Sequence, residues 1–219
     1  VKKRPFYPLS HAQRRLWVLS KLDGQNALYN LPAVLLLKGN LNVHVFEQAW
    51  DAIIQRHESL RTCFVEIDGE PFQKIEDQFH FNIQLETYSG AAWDKQTLND
   101  IAAAWFEKTF DLSCVPLMEI KLVRMTEDTH LFLFNMHHII GDGWSIEIML
   151  KELVFFYHVF LNQNETAIEP LRINYKDYAI WQNNLLEEQS LVSIKNYWLK
   201  KLQKPRPLLN LPADFTRTE

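Results

Sequence analysis

The sequence predicts an α+β domain in which a mixed, mainly antiparallel β-sheet is flanked by helices. Segments with apolar residues three or four positions apart alternate with short apolar or period-2 segments typical of strands. The dipeptide Asp68-Gly69 lies between two strand-like runs and favours a hairpin. Glu127-Asp128 joins two further strand candidates, which we expect to pair in antiparallel fashion.

The first half of the chain begins with a helix whose start is marked by a capping box. Ser10 is followed three residues later by Gln13, the S-x-x-Q pattern in which each side chain bonds the backbone N–H of the other residue. Apolar residues at helical spacing then continue to about Leu22. Periodicity and turn residues predict a strand at 29–38, a helix at 43–57, and strands at 60–67, 72–75 and 79–85.

The second half is predicted to alternate in the same way. It contains a helix at 98–109, an antiparallel pair of strands at 117–125 and 129–138, a long helix at 144–161, and helices at 175–188 and 191–202. The tail that follows has three prolines and no periodicity, which is typical of a linker.

Composition limits the classes of function. A net charge of −4, with one short basic cluster at residues 2–4, argues against a nucleic-acid partner. No segment has the apolar length of a membrane helix and the first residues lack a signal-peptide core, so we expect a cytoplasmic protein with no membrane partner. Cys63 and Cys114 lack metal-ligand spacing, and we interpret them as reduced core thiols.

The residues with the most chemical potential lie at 131–145, LFLFNMHHIIGDGWS. A strand-like run ends there in His137 and His138, and adjacent strand residues point to opposite faces. We therefore expect one histidine to be structural and the other to face solvent or substrate. Histidine suits proton transfer because its ordinary pKa of about 6.5 lies near working pH. Asp142, between two glycines, either orients a histidine or anchors the loop to an arginine.

Spacing alone favours catalysis and a satisfied structural pair about equally. A metal site built from the two histidines and Asp142 is disfavoured, because ligands on opposite strand faces do not converge. Serine-type nucleophilic catalysis has no support, because the sequence contains no G-x-S-x-G elbow.

Four ordered motifs resemble those of nonribosomal peptide synthetase condensation domains. HHIIGDG at 137–143 fits H-H-x-x-x-D-G, and SHAQRRLW at 10–17 resembles the first motif, S-x-A-Q-x-R-L-W. RHESLRTCF at 56–64 resembles the second motif, R-H-E-x-L-R-T-x-F, and YKDYAIWQ at 175–182 resembles the fourth. The resemblance implies a chloramphenicol acetyltransferase-like fold, which the family uses twice in a V-shaped pair of lobes with a tunnel between them.

The chain resembles only the N-terminal lobe of that pair. We expect residues 1–204 to form this lobe and residues 205–219 to begin the inter-lobe linker. The predicted partners are donor and acceptor peptidyl carrier proteins, the C-terminal lobe and an adjacent adenylation domain.

The implied reaction is amide-bond formation between an aminoacyl or peptidyl thioester donor and an aminoacyl acceptor, as in antibiotic and other secondary-metabolite biosynthesis. No cofactor is bound directly, because substrates arrive on the 4′-phosphopantetheine of carrier proteins. The motif forms most resemble the subtype that joins an L-configured donor to an L-configured acceptor. A dual epimerising subtype and a starter subtype stay open, whereas a cyclising relative would have aspartate at position 137.

The resemblance also implies roles for the residues of the central motif. His138 is the expected catalytic residue, acting as a base or as a group that positions the amine and stabilises the tetrahedral intermediate. His137 and Asp142 are expected to be structural, and Gly143 to line the tunnel and offer its N–H to an oxyanion. Ser145 is a possible contact of the pantetheine arm.

Outside that motif, packing and ion pairs are the favoured interpretations. Trp144 is a possible pantetheine contact that is better explained by packing. Arg15 is expected in a salt bridge or on the tunnel side, and Arg61 is a candidate partner of Asp142, together with an arginine of the absent lobe. Tyr178 and Trp181 are interpreted as core or inter-lobe contacts.

Two other functions remain as alternatives. One is a free-standing, trimeric acyl-CoA acyltransferase of the chloramphenicol acetyltransferase type, although its histidine motif lies near the C-terminus and a long segment follows His138 here. The other is a non-catalytic lobe that docks carrier proteins.

Overall fold

The structure, a computed structural model, describes residues 2–22, 27–77, 81–90, 92–163, 170–187, 191–203, 212 and 215. The chain divides into two compact units, Val1–Asn183 and Asn184–Glu219. Most of the predicted linker at 205–219 lies outside the described residues.

Helices and strands alternate along the chain, as predicted. In order they are β1 (Tyr7–Pro8), α1 (His11–Leu22), β2 (Asn30–Lys38), α2 (Val43–Arg56), β3 (Thr62–Ile67), β4 (Glu70–Ile75), β5 (Gln84–Thr87), α3 (Lys95–Phe106), β6 (Met118–Thr126), β7 (Thr129–His137), α4 (Gly143–Leu161), α5 (Tyr175–Glu187) and α6 (Val192–Leu202). The predicted α+β class is confirmed. The second unit contains α6 and the end of α5.

The strands form two sheets rather than the single sheet predicted. One is antiparallel with the order β1-β4-β3, and the other has the order β2-β7-β6-β5. In the second sheet β7 pairs antiparallel with both β2 and β6, and β5 joins β6 in parallel. Every residue of β7 is buried, which explains why apolar residues follow one another without alternation at 131–134.

The hairpin predicted at Asp68-Gly69 is confirmed and connects β3 with β4. Both turn residues have positive φ, 51° for Asp68 and 82° for Gly69. A two-residue turn of this kind matches the right-handed twist of the strands that it joins.

The prediction for β5 is wrong in two respects, its first residue and the burial of Leu85. The strand predicted at 79–85 begins at Gln84, and Leu85, expected to point inward, is 51% exposed. Phe79 lies outside the described residues. An edge strand has one partner strand, so the alternation of its residues predicts their burial less well.

The two cysteines, both interpreted as core thiols, differ in burial. Cys63 is buried as expected, whereas Cys114 is exposed, so the prediction for Cys114 is wrong.

Side chains of consecutive β7 residues enter two different hydrophobic clusters. On one face, Phe132 and Phe134 stack on Trp50 of α2, with ring centroids 6.2 and 5.6 Å apart. On the other face, Leu131 and Leu133 join a second cluster with residues of α3. Helices on both faces therefore fix the orientation of β7 and of the residues at its end.

The capping box at the start of α1 is present and extends into the core. The Ser10 N–H donates to Gln13 Oε1 at 3.0 Å, and the Gln13 N–H donates to Ser10 Oγ at 3.2 Å. Gln13 Nε2 then donates to Gln73 Oε1 of β4 at 3.0 Å and to the Ile139 carbonyl at 3.4 Å. This buried amide ties α1 to the turn that follows β7. No described helix has the length and apolar character needed to cross a bilayer.

Candidate active site

His137, the last residue of β7, and His138, which follows it, line different clefts, in agreement with the prediction that one is structural and the other accessible. His138 is exposed and lines a cleft of about 430 Å³, the His138 cleft, whose lining includes Arg15, Tyr29, Asp142, Ser145 and Tyr175. His137 is 4% exposed and lines a separate cleft of about 250 Å³, the His137 cleft. The His138 N–H donates to the Tyr29 carbonyl at 2.8 Å, so pairing with β2 holds the backbone up to this residue.

His137 is held as a neutral ring. Its Nδ1 accepts the Ile139 N–H at 3.1 Å, which places the ring proton on Nε2. Burial, and to a lesser degree the neighbouring His138, lowers the pKa of His137 to about 4. A histidine that is uncharged at neutral pH and bonded to the following turn supports the structural role expected for it.

Asp142 is the N-cap of α4 and forms a capping box with Ser145. Its Oδ1 accepts the Ser145 N–H at 2.9 Å and the Ser145 hydroxyl at 2.7 Å, while the Asp142 N–H donates to Ser145 Oγ at 3.1 Å. The bond from the Ser145 hydroxyl, followed by that from its N–H, holds the pKa of Asp142 below its usual value. Asp142 therefore anchors the loop through the helix start.

Replacing Asp142 by Ala is expected to lower the free energy of unfolding by about 1 kcal/mol, the usual contribution of a helix N-cap. Urea denaturation at neutral pH measures this loss. Asp142→Ser keeps a capping hydroxyl without the charge and should retain most of the stability. Equal losses in the two variants would show that the carboxylate has another partner than the helix start.

The two arginines expected near the motif lie at different clefts. Arg15 is exposed on α1 and lines the His138 cleft. Arg61 donates from Nη1 to the Glu76 carbonyl at 2.6 Å and lines a third cleft with Arg56. Arg61 is therefore not the partner of Asp142 in this structure, which leaves an arginine of the second lobe as the other predicted partner.

Gly143 and Trp144 form the exposed start of α4. Within the described residues, the lining of the His138 cleft includes Ser145 but neither Gly143 nor Trp144. Trp144 is 75% exposed, so packing against the described residues does not explain it. A Cβ built on Gly143 would meet no atom within 4 Å, whereas one on Gly141 would lie 2.7 Å from Met136 Cε.

These two glycines are expected to differ in their response to alanine. Gly143→Ala should leave the free energy of unfolding unchanged or raise it by up to about 1 kcal/mol, because alanine is the better helix former. Gly141→Ala should lower it by about 1 kcal/mol or more, because Met136 must move. Thermal unfolding of both variants checks this. A destabilised Gly143→Ala variant would contradict the open space seen beside that residue.

Sequence reasoning missed two tyrosines of the His138 cleft. Tyr175, at the start of α5, has its hydroxyl 2.9 Å from Ser10 Oγ, and burial raises the pKa of Tyr175. Tyr29 lies just before β2 and lines both the His137 and the His138 clefts. Tyr175 belongs to a recognised motif and was a possible candidate, whereas no local pattern marks Tyr29. No group of three His, Cys, Asp or Glu among the described residues could hold a metal ion.

Comparison with known proteins identifies the family to which the chain belongs. A sequence model of the condensation domain matches residues 3–219. Over 217 residues the chain is 37% identical to gramicidin S synthase 2 of Brevibacillus brevis, covering 99% of the chain and 5% of that protein. It is 36% identical over 219 residues to bacitracin synthase 3 of Bacillus licheniformis, covering 100% of the chain and 3% of that protein.

Solved structures agree in fold. The X-domain from teicoplanin biosynthesis is 26% identical with a TM-score of 0.82, and the match covers 100% of this chain and 48% of that one. The starter condensation domain of rhizomide synthetase is 20% identical with a TM-score of 0.80, covering 90% and 48%. The chain thus spans about half the length of these structures and less than a tenth of the two synthases. With a family model matched over almost its whole length, the chain belongs to the condensation domain family.

Proposed function

We propose that the chain is the N-terminal lobe of a condensation domain, spanning residues 1–204, that forms amide bonds in nonribosomal peptide synthesis. The donor acyl group and the acceptor amine arrive on the 4′-phosphopantetheine arms of two carrier proteins. The observation that carries this proposal is the exposed ring of His138 in its cleft, held by a β7 that is buried throughout. Similarity to two peptide synthases supports it.

The chemistry that His138 serves is attack of the acceptor amine on the donor thioester carbonyl. A C–N bond forms and the C–S bond breaks through a tetrahedral oxyanion, and the amine loses a proton while the leaving thiolate gains one. An exposed imidazole in the cleft either accepts that proton or positions the amine and stabilises the oxyanion. Because His137 is neutral, it adds no charge that would compete with either role.

Exposed aromatic side chains support a second lobe as partner. Tyr175, Tyr178 and Trp181 form a row along α5, with ring centroids 5.5 and 5.8 Å apart. Tyr178 is 39% and Trp181 57% exposed, so the interpretation of these two residues as core is wrong, and the inter-lobe interpretation remains as the proposal. Trp144 is exposed at the start of α4. Apolar surface of this kind is characteristic of an interaction site.

The decisive experiment supplies the second lobe. Donor and acceptor carrier proteins loaded with L-amino acids are presented to this chain alone and to this chain combined with a C-terminal lobe, and dipeptidyl carrier is detected by mass spectrometry. We expect product only in the combination. Product from the lone chain would contradict an incomplete active site.

The C-terminal lobe used must be one that is active with its natural N-terminal lobe. If this chain then binds carrier proteins but forms no product, the result would favour the non-catalytic docking function. A homotrimer that binds coenzyme A on a sizing column would instead favour the acyl-CoA transferase alternative. The adjacent adenylation domain is proposed as the source of the activated acceptor amino acid.

A further inference from the structure

The His137 cleft is separate from the cleft that His138 lines. Its apolar lining consists of Trp17, Tyr29, Phe64, Phe110 and Leu112. A buried apolar cavity of about 150 Å³ is large enough to bind benzene. The volume of about 250 Å³ found here therefore accommodates an aromatic ring with room for a polar substituent.

Of the polar residues that line this cleft, His137 is the buried one. Because its Nδ1 is occupied by the Ile139 N–H, the Nε2–H is the donor that the ring can offer to the cleft. A neutral N–H donor among aromatic walls suits an uncharged oxygen acceptor such as a phenol.

The lining of the His137 cleft contains one positively charged residue, Lys21, and one negatively charged residue, Asp111. Lys21 bonds Glu66 at 3.2 Å, and its Nζ lies 5.0 Å from the centre of the Trp17 ring. Asp111 accepts hydrogen bonds from the N–H and the hydroxyl of Ser113, at 2.9 and 2.8 Å. One cation and one anion, each engaged by neighbouring groups, give the cleft no preference for a charged ligand.

Tyr29 connects this cleft with the site of the proposed reaction. Its side chain lines both clefts, its ring centroid is 6.4 Å from that of His137, and its carbonyl accepts the His138 N–H. A substrate whose reacting group lies beside His138 is therefore separated from the His137 cleft by one residue, Tyr29.

We propose that the His137 cleft binds the aromatic side chain of one of the two amino acids that are joined, and that it prefers a phenolic ring. The identification of the ligand as a substrate side chain rests on the proposed function. The binding site itself rests on the cleft, its aromatic walls and the free donor of His137.

Binding is tested with small probes and the full chain, without carriers or turnover. The isotope-labelled chain is titrated with N-acetyl-L-tyrosinamide, N-acetyl-L-phenylalaninamide and N-acetyl-L-alaninamide, and the NMR signals of the Trp17 indole N–H and the His137 ring are followed. We expect saturable shifts at both residues with the tyrosine probe, weaker affinity for the phenylalanine probe and none for the alanine probe. Shifts confined to the His138 cleft would overturn the inference.

Matched variants locate the binding. Ser20 of α1 lines the cleft, and Ser20→Phe should fill it and lower the affinity for the tyrosine probe about tenfold or more, as expected when an aromatic ring loses its burial. Val18→Phe places the same ring on an exposed position of the same helix and should bind normally. Ser113→Phe places the ring on another segment of the lining and should repeat the loss. Unchanged affinity in both filled variants, with unfolding temperatures like that of the parent, would refute the site.

The reconstituted domain separates this inference from the proposed function. If the proposed function fails, no pair of loaded carriers yields product with any variant. If only the inference fails, Ser20→Phe forms amide bonds with the same preference for tyrosyl over alanyl carriers as the parent chain. We expect Ser20→Phe to lose that preference.

Discussion

Replacing His138 by Ala in the reconstituted domain is expected to lower the rate of amide formation by about 10²- to 10⁴-fold, the contribution of a positioned acid–base group. The residue is exposed in its cleft, so the free energy of unfolding should stay within about 0.5 kcal/mol of the parent value. Single-turnover formation of dipeptidyl carrier and urea denaturation measure the two quantities.

Two further variants show what His138 does. His44 is an exposed histidine of α2, and His44→Ala should leave the rate unchanged. His138→Gln keeps hydrogen-bonding groups but cannot take up a proton, so a partly retained rate indicates positioning and a rate as low as that of the alanine variant indicates a base. Full activity of His138→Ala would refute the catalytic assignment.

His137 is expected to make the lobe sensitive to acid. Its pKa is about 4 in the folded chain and about 6.5 when unfolded, so between these values the unfolded chain binds a proton that the folded chain does not. The stabilisation is fully present above the unfolded pKa and is lost as pH falls towards the folded value. It amounts to about 3 kcal/mol over this window.

Urea denaturation from about pH 7 to about pH 4 tests this expectation in the parent and in His137→Asn. Asparagine keeps an acceptor for the Ile139 N–H and does not titrate, so the variant should have a shallower dependence on pH. His130 also has a pKa lowered by burial, with Arg124 nearby, and leaves a residual slope in the same direction. His44→Asn should retain the parent slope. An identical slope in His137→Asn would refute the link between this ring and acid stability.

Local signals predicted the elements whose causes are local. The Ser10–Gln13 capping box, the Asp68-Gly69 turn and the helical period of α4 each depend on residues within a few positions, and the structure contains all three. The division into two sheets depends on which strands meet across the chain, for which periodicity gives no information. The same reason explains the misplaced β5 and the exposed Cys114.

For the candidate site, too, the sequence predicted the features that depend on neighbouring residues and missed those that depend on distant segments. Alternation along β7 placed His137 and His138 on opposite faces, and the motif pattern named His138 as the reactive one. Asp142 was expected to bond an arginine, but in this lobe it bonds Ser145. Tyr29 reaches the site from a distant segment because β2 pairs with β7, and no pattern around Tyr29 indicates that pairing.

The burial of β7 on both faces has a consequence for evolution and for engineering by recombination. Deleting or inserting one residue within 129–136 would exchange the environments of the two histidines, putting His138 into the buried position and His137 into the His138 cleft. Substitutions in this strand are therefore easier to accommodate than changes in its length. Chimeras between related lobes should place their junctions in the Glu127-Asp128 turn, so that the count of residues leading to His138 is inherited intact.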